Sequence, residues 1–137
     1  VRYNAEKRRE ARNVNMEELF RSILEQDAAP VVVCAADHTI VYMNPSAKER
    51  YAKRGGEALL GQKLTDCHNA ESNAAIERVL AWFRADKSHN RVFTFRNDKE
   101  NKDVYMIALR DQSGELIGYY EKHEYRTPEA GKRYDLS

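Results

Sequence analysis

The order of periodic segments predicts an α+β domain in which one antiparallel sheet carries helices on a face. Three observations point to it. Two short β-branched runs stand early, at 31–36 and 39–43. Three longer β-type segments close the chain, at about 91–97, 103–110 and 116–125, and the stretch between the two groups is helical in period. Strands at both ends with helices between them pair most simply as one antiparallel sheet. A length of 137 residues fits a single domain.

The elements follow in order. Residues 1–14 make a charged N-terminal segment in which Arg2, Lys7, Arg8, Arg9 and Arg12 meet only Glu6 and Glu10. A solvated helix surface accounts for it; a nucleic-acid arm is the lesser alternative. Asn15 with Glu18 three positions on resembles a capping box. Met16, Leu19, Phe20, Ile23 and Leu24 then form one apolar stripe of a helix over 15–27. Pro30 ends it, and Asp37-His38 joins the first two strands as a tight turn. Asn44-Pro45 opens a helix over 45–54, with Asn44 as cap. Gly55-Gly56 closes that helix, and Gly61 closes a short turn of Glu57–Leu60. A longer helix over 66–85 is expected with Asp66 as its cap. Asp98–Lys102 and Asp111–Gly114 turn the last three strands. The domain thus runs over 15–127, and 128–137 reads as a polar tail. Strand 103–110 is apolar on both alternating sets, so the outer sheet face needs a cover, and the stripe of the 15–27 helix is the candidate, on its own sheet or on a second subunit's.

Composition narrows the function. The formal net charge is +1, which gives no general attraction to nucleic acid or to an anionic membrane. No run of about 18 apolar residues exists to span a bilayer, and no signal-peptide pattern is visible. Cys34 and Cys67 are too few for a disulfide framework, so a reducing cytoplasm is expected. No phosphate-cradling glycine loop, nucleophile elbow or His-Glu-x-x-His run is present, and the chain is expected not to be an enzyme.

This order and punctuation resemble the PAS family over roughly residues 17–127. The hairpin Val31–Asn44 with "YMNPSAKERY", the "LLGQKL" at 59–64, and the closing "LRDQSGELIGYYEKHEYRT" are similar to the family's opening hairpin, Leu-Gly turn and final hairpin. The resemblance implies sheet order 2-1-5-4-3 and a sensory or regulatory module. A narrower likeness is to bacterial members with a Cys-His pair before the long helix, here Cys67-His68, although Asn69-Ala70 stands where those relatives have Pro.

The implied ligand site is the hollow between helices and sheet. On a helix starting near Asp66, His68, Ser72, Ile76 and Val79 share the face toward it, with Met43 and Tyr105 as neighbours. His68 has three readings: a structural imidazole near a helix start, a haem or metal ligand, or a polar contact to another small molecule. In oxygen-sensing haem relatives the ligand histidine lies further into this helix, where this chain has Ser72-Asn73-Ala74-Ala75. The flavin photosensor motif Asn-Cys-Arg-Phe-Leu-Gln is absent, so flavin photochemistry is not expected. The cofactor is left open. Two functions compete: a small-molecule sensor signalling through the N-terminal helix or a homodimer interface, and a ligand-free dimerisation module. Both use the stripe Met16, Leu19, Phe20, Ile23 and Leu24 as the dimer surface.

Overall fold

In the computed structural model the described residues are 2–137; Val1 and the side chains of residues 2, 3, 11 and 12, with the charge pattern read on Arg2 and Arg12, lie outside the description. The charged segment is a helix, α1 (Arg2–Arg12), on which Lys7 pairs with Glu10 at 3.3 Å. α2 (Met16–Glu25) follows, and the Asn15 side chain caps it by accepting from the Glu18 N–H at 3.0 Å. The first hairpin is β1 (Val32–Ala35) and β2 (Ile40–Met43). α3 (Pro45–Arg50) then runs into 3₁₀ turns at Ala52–Arg54, Gly56–Leu59 and Leu64–Cys67. α4 (Ala70–Ala85) precedes β3 (Arg91–Asn97), β4 (Lys102–Arg110) and β5 (Leu116–Tyr125). The five strands pair antiparallel in the order β2-β1-β5-β4-β3.

The core lies between the sheet and the helices. Leu80 and Phe83 of α4 and Ala47 of α3 are fully buried against Cys34, Ile40, Met43, Met106 and Tyr119. Alternation on β4 turns Val104, Met106 and Ala108 inward and Tyr105, Ile107 and Leu109 outward. β1 and β5 come close enough that a Cβ on Gly118 would sit 2.4 Å from the Cys34 carbonyl oxygen, so only glycine fits there.

Two expectations are corrected. The long helix starts at Ala70, not near Asp66. The Asn69 carboxamide accepts from the Ser72 N–H at 2.8 Å, and His68 and Asn69 are extended, so the cap terminates the preceding 3₁₀ turn and begins a new helix. His68 and Ser72 therefore do not share a helix face. The α2 stripe, moreover, does not cover the outer sheet face of its own chain. Met16, Leu19, Phe20 and Ile23 are 47–67% exposed. The helix meets the sheet at its edge strand, where the Tyr42 hydroxyl donates to Glu25 at 2.7 Å and the Arg21 guanidinium lies over the Tyr42 ring.

Asn44 ties these parts together. It is completely buried. Its Oδ1 accepts from the N–H groups of Val31 and Ala47, each at 2.9 Å, and its Nδ2 donates to the carbonyls of Leu24, Asp27 and Ala29. Asn44→Ala orphans the buried Val31 N–H and removes the α3 cap, so we expect a loss of about 3 kcal/mol in urea denaturation. Asn44→Asp, which keeps the acceptor and loses the donor, is expected to fall between the two.

Candidate functional site

Between the inner sheet face, α4 and the 3₁₀ turns lies a cavity of about 180 Å³. Met43 of β2, Ile76 of α4 and Met106 of β4 give it an apolar body, extended by Val32, Ile40 and Leu64. Its polar groups come from three places. The inward parity of β5 supplies Tyr119, Glu121 and His123, the 3₁₀ region supplies His68 and Arg54, and α3's C-cap supplies Tyr51.

Tyr119 is the best-tied of these. Its hydroxyl lies 2.8 Å from His38 Nδ1, and His38 Nε2 reaches the Glu77 carboxylate on α4. With a proton on Nε2 facing Glu77, Nδ1 is the acceptor and the tyrosine hydroxyl donates. A chain Glu77–His38–Tyr119 thus runs from the surface to the cavity wall and ends beside the Cys34 thiol. Burial, with Cys34 next to it, raises the Tyr119 phenol well above its ordinary value. Burial likewise pushes the Cys34 thiol up to about 11, against a smaller lowering from its side-chain contact with Tyr119.

Glu121 and His123 form a less satisfied end. His123 keeps only 5% of its side chain exposed, its Nδ1 is buried without a partner, and its Nε2 is 3.6 Å from Glu121, too far for a hydrogen bond. Burial, then the charges of Lys102 and Arg50, lower its pKa to about 4, so the ring is neutral at pH 7. Glu121 has 54% of its side chain accessible, yet desolvation raises its carboxyl pKa. The accessible surface keeps the carboxylate within reach of solvent, while the protein packed around it still disfavours its charge. Glu100, in the β3–β4 turn, takes a two-point contact from Arg50 at 2.7 and 2.8 Å and a longer one from the buried Lys102 at 3.4 Å. The hydrogen bond from Arg50 is the chief reason the Glu100 carboxyl falls to about 2.

The residues expected at the site divide. Met43 and Ile76 line the cavity, and His68 lies at its exposed rim, its Nδ1 donating to the Leu64 carbonyl at 3.0 Å. Val79 packs against the core without lining the cavity, and Ser72 spends its N–H on the Asn69 cap. Tyr105 is on the other side of the sheet, beneath the Arg91 guanidinium at 4.0 Å and beside Phe93. Its neighbour Met106 has the inward parity, so Tyr105 could not. His38, Glu121 and His123 went unrecognised. Alternation through Tyr119-Tyr120-Glu121-Lys122-His123 was the available signal, since every second residue falls on one face.

Haem does not fit these residues. The cavity holds the volume of about six waters, far below a four-ring macrocycle, and His68 stands at its exposed rim. Among the described residues, no group of three His, Cys, Asp or Glu side chains is placed to hold a metal ion.

The family model described as PAS domain matches residues 28–121. The chain belongs to the PAS family. Its fold is similar to that of solved PAS domains. The PAS domain of BvgS from Bordetella pertussis matches with a TM-score of 0.59 and 19% identity, over 84% of this chain and 89% of that one. A C-terminal domain from Streptococcus mutans gives 0.62 and 21%, over 82% and 85%. A sensory box sensor histidine kinase from Vibrio cholerae gives 0.52 and 16%, over 91% and 97%. No curated protein matches the chain at a significant level. Among the described residues, no helix is long and apolar enough to cross a membrane.

Two outcomes follow for this PAS domain. Iodoacetamide at pH 8 should label the exposed Cys67 in the folded protein and leave the buried Cys34 untouched until denaturant is added, as peptide mass mapping will show. His123 has a folded pKa of about 4 below an ordinary value of 6.5. The unfolded chain therefore takes up its proton first as pH falls. The stabilising contribution is whole above about 6.5 and is lost progressively toward pH 4. Glu121, with its raised carboxyl, works in the opposite sense as pH rises. His123→Phe should flatten the first slope in urea midpoints measured across that window.

Proposed function

We propose that this PAS domain is a non-catalytic sensory module of the cytoplasm that holds a small molecule in the helix–sheet cavity and signals through α2 and a homodimer. The observation that supports the reading is the cavity itself, apolar along its body and polar at the β5 end. An enclosed apolar hollow with a few convergent polar groups is the usual form of a ligand site. A route for the signal follows from Asn44. Met43 lines the cavity, and the next residue holds the carbonyls of Leu24 and Asp27 at the end of α2. A ligand that shifts Met43 acts on that cluster and so on the orientation of α2, biasing one of two helix packings.

The exposed stripe on α2 favours the second reading, a ligand-free dimerisation module. Met16, Leu19, Phe20 and Ile23 lie exposed on one apolar stripe of α2, and contiguous exposed apolar surface of that kind marks interaction sites. Both readings share the dimer and differ in the ligand. Native mass spectrometry of freshly purified protein is expected to show a mass excess that denaturation releases; a bare mass supports the module without ligand. In sedimentation, the wild-type chain is expected as a dimer and the Phe20→Asp/Ile23→Asp variant as a monomer. A wild-type monomer at high concentration removes the dimer from both readings.

A further inference from the structure

We propose that the cavity takes a small organic amine, bound as its ammonium, with its N–H groups on the Glu121 carboxylate and its carbon skeleton against Met43, Ile76 and Met106. The inference rests on the cavity reading above and names the ligand's chemistry.

The argument starts from an unmatched group. Glu121 lines the cavity with 54% of its side chain accessible, so a ligand can reach its carboxylate. Among the described residues, Glu121 accepts no hydrogen bond, and its nearest partner, His123, stands 3.6 Å away. The cations that could have matched it are committed elsewhere. Arg50 and the buried Lys102 both turn to Glu100, and His68 directs its Nδ1–H at the Leu64 carbonyl. Arg54 is exposed at the rim and draws on solvent. Glu121 therefore faces the cavity as a carboxylate that lacks a donor. Desolvation raises its carboxyl pKa, opposed by the charges of His68, Lys102 and Arg50, none of which reaches it with a hydrogen bond.

The remaining lining sets the rest of the ligand. Of the two tyrosine hydroxyls among the lining residues, Tyr51 and Tyr119, that of Tyr119 already donates to His38. Beyond the β5 end the wall is Met43, Ile76, Met106 and Ile40, which asks for a hydrocarbon body. At about 180 Å³ the space suits a short chain or a single ring and is smaller than the roughly 300 Å³ at which drug-sized sites begin. An anion is disfavoured, because it would set a second negative charge against Glu121.

Three isosteric probes test this: n-pentylamine, 1-pentanol and pentanoate, titrated into the full ¹⁵N-labelled chain at pH 7 and followed by amide chemical shifts. Pentylamine is expected to bind about tenfold or more tighter than pentanol, the gain of one charge-assisted hydrogen bond set. Glu121→Gln should erase that preference and leave pentanol affinity unchanged; its own spectrum reports whether it folds, and Glu121→Asp serves as a second variant. Lowering the pH should weaken the amine and not the alcohol, since protons compete with the ammonium for Glu121. Tighter binding of pentanoate, or an amine preference that survives Glu121→Gln, overturns the inference while the cavity remains a ligand site. Failure of all three probes to shift any cavity residue removes the cavity reading together with it.

Discussion

Asn44 is the residue on which the rest of the arrangement depends. One carboxamide holds the start of β1 through Val31, the first turn of α3 through Ala47, the end of α2 through the Leu24 carbonyl, and the link that follows it through those of Asp27 and Ala29. A buried amide offers four hydrogen-bonding directions, and here all of them are used. Hydrophobic burial could bring these segments together without fixing their angles. The directed bonds of Asn44 fix them, and they do so at a point adjacent to Met43 on the cavity wall.

The same economy explains why the cavity exists. Phe83 and Leu80 fill the space between α4 and the sheet at one end, and Ala47 lets α3 approach at the other. The 3₁₀ turns between α3 and α4 cannot close on the sheet as tightly as a helix. They leave a hollow bounded by Leu59, Leu64 and Cys67. Sheet parity then delivers Tyr119, Glu121 and His123 into it from a single strand. Tyr119 is bound into a chain reaching the surface, whereas Glu121 and His123 are not. The contrast between a satisfied and an unsatisfied polar end gives the cavity its chemical direction.

The ion cluster behind β5 has a separate task. Arg50 on α3 grips Glu100 in the β3–β4 turn, and Lys102 runs inside the sheet edge with its ammonium 5.2 Å from the Tyr125 ring. Lys102 is the buried member, and removing Glu100 leaves its charge unpaired, whereas Arg50 and Glu100 themselves keep contact with solvent. The cluster also directs the hydrogen bonds of its two cations to Glu100 and not to Glu121.

The sequence by itself determined the strands, their turns, the caps at Asn15 and Asn44, and, through its likeness to the PAS family, the sheet order. These features are local or carried by pattern: a cap needs one side chain and the next three residues, and a strand needs period two. The cap at Asn69 was legible by the same rule, and placing the helix start at Asp66 instead put His68 on a face it does not occupy. Tertiary structure alone decided which groups share the cavity. His38 meets Tyr119 across 81 positions and Glu77 across 39. Whether Glu121 finds a cation depended on where Arg50 and Lys102 turn, and both turn to Glu100. Spacing along a chain records the period of an element; the choice between two partners of equal charge is made only when packing sets their distances.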